Sequence, residues 1–372
     1  MKKIGFVIKQ FIKMFTQAVI LPIWYAIHRH NEIDRNLVIF ADAHSHELPH
    51  SMLLMHEKFE KNGYNVVDFF SDYGHDSPFV TIKNMLKFTK MYAKAHYVFI
   101  CNYFLPVASV RKKKETKVVQ LWHACGIFKR FAHDTDDDIP KYYKFEVIKN
   151  YDLVTVSSET CVPVYANAMH LDEKKVRATG VSRTDRFFDE EYIKKCREKL
   201  YRLYPEAKGK KLAVWAPTFR GNAALPYLEG QEDIMRLKEQ LPDDWFLLVR
   251  LHQHLLDYKI NCDIPTEELL PVADLLISDY STVVFEFSLM NKPLVLFVPD
   301  YETYGKHRGF YIEFESLPGS IVTDENELAE KIIYEYEHFD SDRMKAFASL
   351  HMSACDGNST DRIFDLITSD KL

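Results

Sequence analysis

Short apolar runs of strand length alternate with longer stretches whose apolar residues recur every three or four positions, from Leu37 onward. Runs at 37–41, 64–70, 97–101, 118–121 and 153–156 read as strands, and 50–62 and 80–94 read as helices between them. This order predicts a doubly wound α/β domain on a parallel sheet. A helical pattern at 196–204 leads into 205–211, whose Pro, Gly and lysines mark a linker. Strand patterns resume at 212–216, 246–249, 275–277 and 294–298, and helical ones at 283–291, 325–336, 342–350 and 360–367. The expected architecture is two facing Rossmann-like domains, 36–204 and 205–372, preceded by a segment at 1–35.

The most informative unit is 274–312. Its strand Leu275, Leu276, Ile277 runs into the polar turn Ser278, Asp279, Tyr280, Ser281, Thr282 before a helix begins at Val283. A helix start offers unpaired N–H groups and the positive end of the helix dipole, so a turn holding Asp279, Ser281 and Thr282 suits a phosphate. A plain N-cap is the competing reading of Ser281 or Thr282. The sequel YGKHRGFY reads as a loop that sets Lys306, His307 and Arg308 beside Gly309, and this adds positive charge to an anion-binding turn.

At 372 residues the chain is long enough for two domains of about 150 residues each. Hydrophobic residues make up 47% and charged residues 27%, the balance of a folded globular protein, and the net charge of -6 argues against a nucleic-acid binder. The cysteines, from Cys101 to Cys355, form no CxxC pair, which fits a reducing cytoplasm. The first 31 residues carry Lys2, Lys3, Lys9, Lys13 and Arg29 and no acid. On a helix, Ile4, Val7, Ile8, Phe11, Met14, Phe15 and Val19 fall on one face, with Lys2, Lys9, Lys13 and Gln17 on the other. Such a helix suits an anionic membrane interface. The lysines interrupt each apolar run, which argues against a spanning helix, and Pro22 is expected to separate the helix from the first strand.

Two stretches resemble metal sites. Asp42, His44 and His46 have a DxHxH form used by metal-dependent hydrolases at strand ends, with His123, His252 and His254 as further candidates. Such a hydrolase needs a closed barrel of about eight strand-helix units, which the linker argues against. The acidic run Asp134, Asp136, Asp137, Asp138 has no strand leading into it and reads as a solvated loop. Three loops that each follow a strand carry more weight: WHACGIFKR with His123, PTFRG with Arg220, and RLHQH with Arg250, His252 and His254. Cations and imidazoles recurring at successive strand ends would point into one cleft.

The ordered set QLWHACGIFKRF, VSSE, GVSRTDRFF, APTFR, LRLH, SDYSTVVFEF, NKPLVLF, RGFY and PGSIV resembles the CDP-glycerol glycerophosphotransferase family, the primases and polymerases of teichoic acid synthesis. The likeness runs from about Val118 to Asp365. It implies a glycosyltransferase-B type fold, a CDP-polyol donor in the C-terminal domain, a lipid-linked saccharide or polyol-phosphate acceptor at the N-terminal one, and a peripheral place on the cytoplasmic face of the membrane. No metal and no cofactor are implied. Two departures stand out: Ala124 and Cys125 separate His123 from Gly126, and Gln253 stands where a proline usually follows the RxH histidine. The resemblance points to His123 and His252 as essential. The charge of a donor diphosphate calls for Arg220, His252, Ser281, Thr282 and Arg308, and the attacking hydroxyl calls for a base, best supplied by His123. Glycerol phosphate is the expected unit. Ribitol phosphate, a sugar-nucleotide glycosyltransferase, a hydrolase and a non-catalytic membrane-surface protein are the alternatives.

Overall fold

The computed structural model describes residues 10–139, 143, 145–222, 225–251, 255 and 258–369, with backbone only at 222, 225 and 305–308. The chain divides into two compact units. Unit 1 comprises Met1–His123, Phe131–Arg183 and Asn358–Leu372, and unit 2 comprises Ala124–Arg130 and Thr184–Gly357.

Unit 1 is built on strands β1 (Asp34–Asp42), β2 (His44–Ser45), β3 (Asn65–Asp72), β4 (Ala95–Ile100), β5 (Lys117–Gln120), β6 (Leu153–Thr155) and β7 (Val176–Arg177). Their order in the sheet is β2-β3-β1-β4-β5-β6-β7, and every pairing is parallel except that of β2 with β3. Parallel strands are covered on both faces, which is why their sequences are nearly continuous apolar runs. Val38, Phe40, Phe99, Val119 and Leu121 form one core with Met52, Met55 and Phe59 of helix His50–Lys61 and Ile363 and Ile367 of helix Ser359–Thr368.

Unit 2 holds β8 (Lys211–Ala216), a small antiparallel hairpin of β9 (Arg220–Asn222) and β10 (Leu225–Tyr227), then β11 (Trp245–Val249), β12 (Leu275–Ser278), β13 (Leu294–Phe297) and β14 (Ser320–Val322). The parallel sheet runs β11-β8-β12-β13-β14. In each unit the strand order reverses beside the first strand, β1 in one and β8 in the other, and loops at the carboxyl end of such a reversal are where doubly wound sheets bind ligands. A sheet of seven strands and a sheet of five replace the single closed barrel that the hydrolase reading needs.

Several expectations need correction. The first unit ends at 183, not at 204. Helix Glu190–Leu203, capped by the Asp189 carboxylate on the N–H groups of Glu191 and Tyr192, belongs to unit 2, where Lys199 pairs with Glu268 at 2.6 Å. The final helix returns to unit 1. The crossover helix is shorter than expected, Val283–Ser288, and Asn291 stands beyond it at φ 50°. Residues 304–308 of the expected loop instead close the helix Tyr301–Arg308.

The N-terminal helix also differs. Residues 1–9, with Lys2, Lys3 and Lys9, lie outside the described part, and the described helix is continuous from Gln10 to His28. Pro22 does not end it, because the π-helical turn Thr16–Ile20 lies directly upstream and shifts the backbone bonding register. With only Lys13 inside it, this helix is long and apolar enough to cross a membrane by length and composition alone. Its packing is that of a helix lying on unit 1. Leu21 and Tyr25 are buried, the Gln17 amide donates to the Glu146 carbonyl at 2.9 Å, and the Trp24 indole donates to the Leu86 carbonyl at 2.9 Å. Lys13 sits over the Tyr143 ring at 4.9 Å. Thr16 and Gln17 are therefore turned inward while Lys13 stays exposed, and Phe11, Phe15, Val19, Ile23 and Ile27 line the outside at intervals of four residues.

Candidate active site

At the carboxyl end of β5 the chain turns sharply. Buried Trp122 takes φ 57°, a backbone region that costs a bulky residue free energy and collects at functional sites. It is held there by the Gln120 side chain, which accepts from its N–H at 3.0 Å, and by Arg183, whose Nη1 donates to its carbonyl at 3.4 Å. The next residue is His123. Its Nδ1 lies 3.3 Å from the Cys101 carbonyl, which fixes the ring if that nitrogen carries the proton and leaves Nε2 as the acceptor. His123 is exposed, yet the protein around it desolvates the charged form. The Cys101 carbonyl opposes that effect, while the positive charge of Arg183 adds to it, and the pKa falls from 6.5 to about 4. His123 is therefore neutral at neutral pH.

The neighbouring strand ends support this position. Asp42, fully buried at the end of β1, accepts from the His44 N–H at 2.8 Å and from the Asn102 amide at 2.7 Å. Burial raises its pKa, but hydrogen bonds from His44 and Asn102 outweigh that and keep it ionised. His46 turns to Asp76 instead, at 3.3 Å. The DxHxH residues thus diverge, and among the described residues no group of three or more His, Cys, Asp or Glu is placed to hold a metal ion. The acidic run is a turn in which Asp138 accepts from the Ala132 N–H at 3.1 Å.

Gly126 has a different task from the one the sequence suggested. A glycine turn beside the candidate base His123 would let an acceptor come close, but Gly126 stands at φ 67° against Phe285 of helix Val283–Ser288, and a Cβ there would lie 2.1 Å from the ring. Gly309 approaches Arg130 in the same manner, with its carbonyl accepting from the Arg130 N–H at 3.2 Å.

In unit 2 the expected phosphate group Arg220 is buried among acids. Its Nε and Nη2 donate to Asp300 at 2.6 and 3.0 Å, and its Nη1 donates to Asp279 at 2.9 Å and to the Thr218 carbonyl at 2.8 Å. Tyr280 and Tyr304, stacked at 3.9 Å, lie beside it, and the Tyr280 hydroxyl donates to Asp300 at 3.3 Å. Burial works against its charge, but the bonds and charges of Asp300 and Asp279 outweigh it and hold the pKa above the ordinary value. One cation facing two carboxylates has no charge to spare for a diphosphate. Arg220 instead clasps the loops after β8, β12 and β13, and Asp279 completes the clasp by accepting from the Thr218 N–H at 2.8 Å.

Ser281 and Thr282 are half-buried at the start of the short helix, and the Ser281 hydroxyl accepts from the Val283 N–H at 3.3 Å. Part of the capping reading is therefore realised. His252, with Gln253 and His254, lies outside the described residues, as does the side chain of Arg308. Sequence reasoning missed Arg183, Asn102 and Asp300. Each had a signal: Asn102 follows β4 and Asp300 follows β13 as Arg220 follows β8, and Arg183 lies in the GVSRTDRFF motif.

Set beside known proteins, residues 23–369 match the family described as CDP-Glycerol:Poly(glycerophosphate) glycerophosphotransferase. The chain belongs to this family. It is a transferase. Among its relatives, the teichoic acid ribitol-phosphate primase of Bacillus spizizenii is 34% identical over 297 residues, covering 74% of this chain and 76% of the relative. The teichoic acid glycerol-phosphate primase of Bacillus subtilis is 30% identical over 306 residues, covering 76% of each. The solved structure of the wall teichoic acid polymerase TagF superposes with a TM-score of 0.75 at 23% identity, covering 93% of this chain and 92% of that one, and shares the fold. The expected glycosyltransferase-B type architecture is thereby confirmed.

Proposed function

We propose that the protein transfers a polyol phosphate from a CDP-polyol to a hydroxyl of a membrane-lipid-linked acceptor, releasing CMP, in the synthesis of teichoic acid or a related cell-surface polymer. Family membership supports the reaction class. The observation that carries the mechanism is a neutral imidazole, His123, braced by the Cys101 carbonyl at a strand end beside a strained backbone turn. In this reading the acceptor oxygen attacks the phosphorus that bears the polyol, its proton passes to His123, and the bond to CMP breaks with its electron pair leaving on CMP. Unit 2 holds the donor. The Ser281 to Thr282 turn faces the diphosphate with His252 and Arg308, while Asp279 and Arg220 keep the turn in place.

Glycerol phosphate is the transferred unit in the first form of this reading. The ribitol form is favoured by the 34% identity to a ribitol-phosphate primase. The outward stripe Phe11, Phe15, Val19, Ile23 and Ile27 supports docking on the cytoplasmic face of an anionic membrane, as a peripheral protein. The test is to supply the full-length protein with CDP-glycerol, CDP-ribitol or UDP-sugars and a lipid-linked saccharide in vesicles. CMP release with a product heavier by polyol phosphate is expected. Turnover of UDP-sugars alone would replace this reading with a glycosyltransferase.

A further inference from the structure

After β13 the chain passes through helix Tyr301–Arg308 and the short helical turn Phe314–Ser316, and a cleft of about 440 Å³ lies between them. That volume falls within the roughly 300–1,000 Å³ of small-molecule sites. Its walls are the rings of Tyr301, Phe310 and Phe314, and its rim carries the exposed carboxylates of Glu302, Glu313 and Glu315. The Tyr301 hydroxyl is committed to Glu315. Phe310 and Phe314 also pack against Tyr280, with centroids at 5.9 and 5.3 Å. Tyr280 lies between Asp279 and Ser281, so the cleft shares a wall with the turn that faces the donor diphosphate.

The chemistry of the lining selects its occupant. Three carboxylates repel phosphate and, when ionised, offer only acceptors. A cytosine base brings one amine, but its ring nitrogen and carbonyl are acceptors that this rim would leave unpaired, at the cost of buried or half-buried polar groups. A polyol suits it better. Each hydroxyl carries a proton to donate to a carboxylate, and the C–H edges between them lie against aromatic faces.

We propose that this cleft receives the polyol end of the donor, with Glu302 and Glu313 accepting hydrogen bonds from its hydroxyls. The inference rests on the CDP-polyol reading of unit 2 and adds the residues that set polyol preference. Ribitol has more hydroxyls than glycerol to offer the rim, so its binding depends on the carboxylates more steeply.

The test is titration calorimetry of the full-length protein with CDP, CDP-glycerol and CDP-ribitol, for the wild type and for Glu302→Ala and Glu313→Ala. Both residues are exposed, and an unchanged melting temperature checks the fold. Each variant is expected to lose about tenfold in affinity for the better-bound CDP-polyol, as loss of a hydrogen bond to a charged group does, and to bind CDP unchanged. Variants that bind both CDP-polyols like the wild type overturn the proposal. So does an equal loss for CDP, which would place the base or the phosphates in the cleft. A wild type that binds none of the ligands overturns the donor reading beneath it, and the silent CDP arm distinguishes that failure from the others.

Discussion

At the scale of single residues the decisive quantity is the charge state of His123. Its pKa is lowered on folding, so the unfolded chain takes up the proton first as pH falls. The stability contributed by the neutral ring is complete above 6.5 and is lost as pH drops toward about 4. Activity should follow the same direction. The acid limb of kcat/KM, which reports the free enzyme, is expected well below the ordinary imidazole value. His123→Asn keeps hydrogen bonding but takes no proton. It should slow transfer by about 10²–10⁴-fold and leave CDP-polyol binding intact by calorimetry. An Asn variant that transfers at nearly the wild-type rate would remove His123 from the role of base. The imidazole was legible in the sequence because a strand pattern leads straight into LWHACG. The partners of Arg220 were not: Asp279 and Asp300 lie 59 and 80 residues away along the chain, and only the fold shows that they absorb its charge.

At the scale of elements, the buried parallel strands were the most legible part, since β1, β4, β8, β12 and β13 each show as an apolar run within a residue or two at most ends. Short β7 and β14 and the helix Cys161–Met169 were missed, because two or three residues make no pattern and the helix is apolar around most of its circumference. The N-terminal helix shows a subtler limit. Within the described residues Phe11, Phe15 and Val19 share an outward face as expected, but sequence alone suggested neither the π turn that carries the helix through Pro22 nor that Lys13 and Gln17 face Tyr143 and Glu146 of the body. An apolar face turned outward is a cost in water and a gain at a bilayer, at about 25 cal/mol for each Å² removed from water. Replacing Phe11, Phe15 and Ile23 by Ser together should release the full-length protein from anionic vesicles in a flotation assay. Activity on a short-chain soluble acceptor should be unchanged. Vesicle binding equal to that of the wild type would move the membrane contact to another surface, with Arg111, Lys113 and Lys114 the next to be changed.

At the scale of the whole molecule, the domain boundary was the least legible feature, because it is fixed by contacts between residues far apart in sequence. A linker composition at 205–211 suggested a single crossing, whereas the chain leaves unit 1 at 124–130, leaves it again after 183 and returns at 358. The returning helix is structural. Ile363 and Ile367 are fully buried in the core under β1, β4 and β5, Phe364 meets Phe59 edge-on with centroids at 5.0 Å, the Tyr97 hydroxyl donates to the Ile367 carbonyl at 3.3 Å, and Arg362 Nε donates to the Thr179 carbonyl at 3.0 Å. Removing these side chains opens a cavity that a close-packed sheet and helix fill only in part. In the full-length protein, Ile363→Ala is expected to cost about 2–5 kcal/mol in urea unfolding followed by near-ultraviolet dichroism. A fragment of residues 1–204, cut where the linker composition invites it, should keep helical signal but lose fixed tertiary packing, and a peptide of residues 355–372 added to it should restore part of that packing. If the fragment alone unfolds cooperatively with native-like near-ultraviolet signal, unit 1 closes without the final helix. The boundary read from the sequence would then describe folding better than the contacts do.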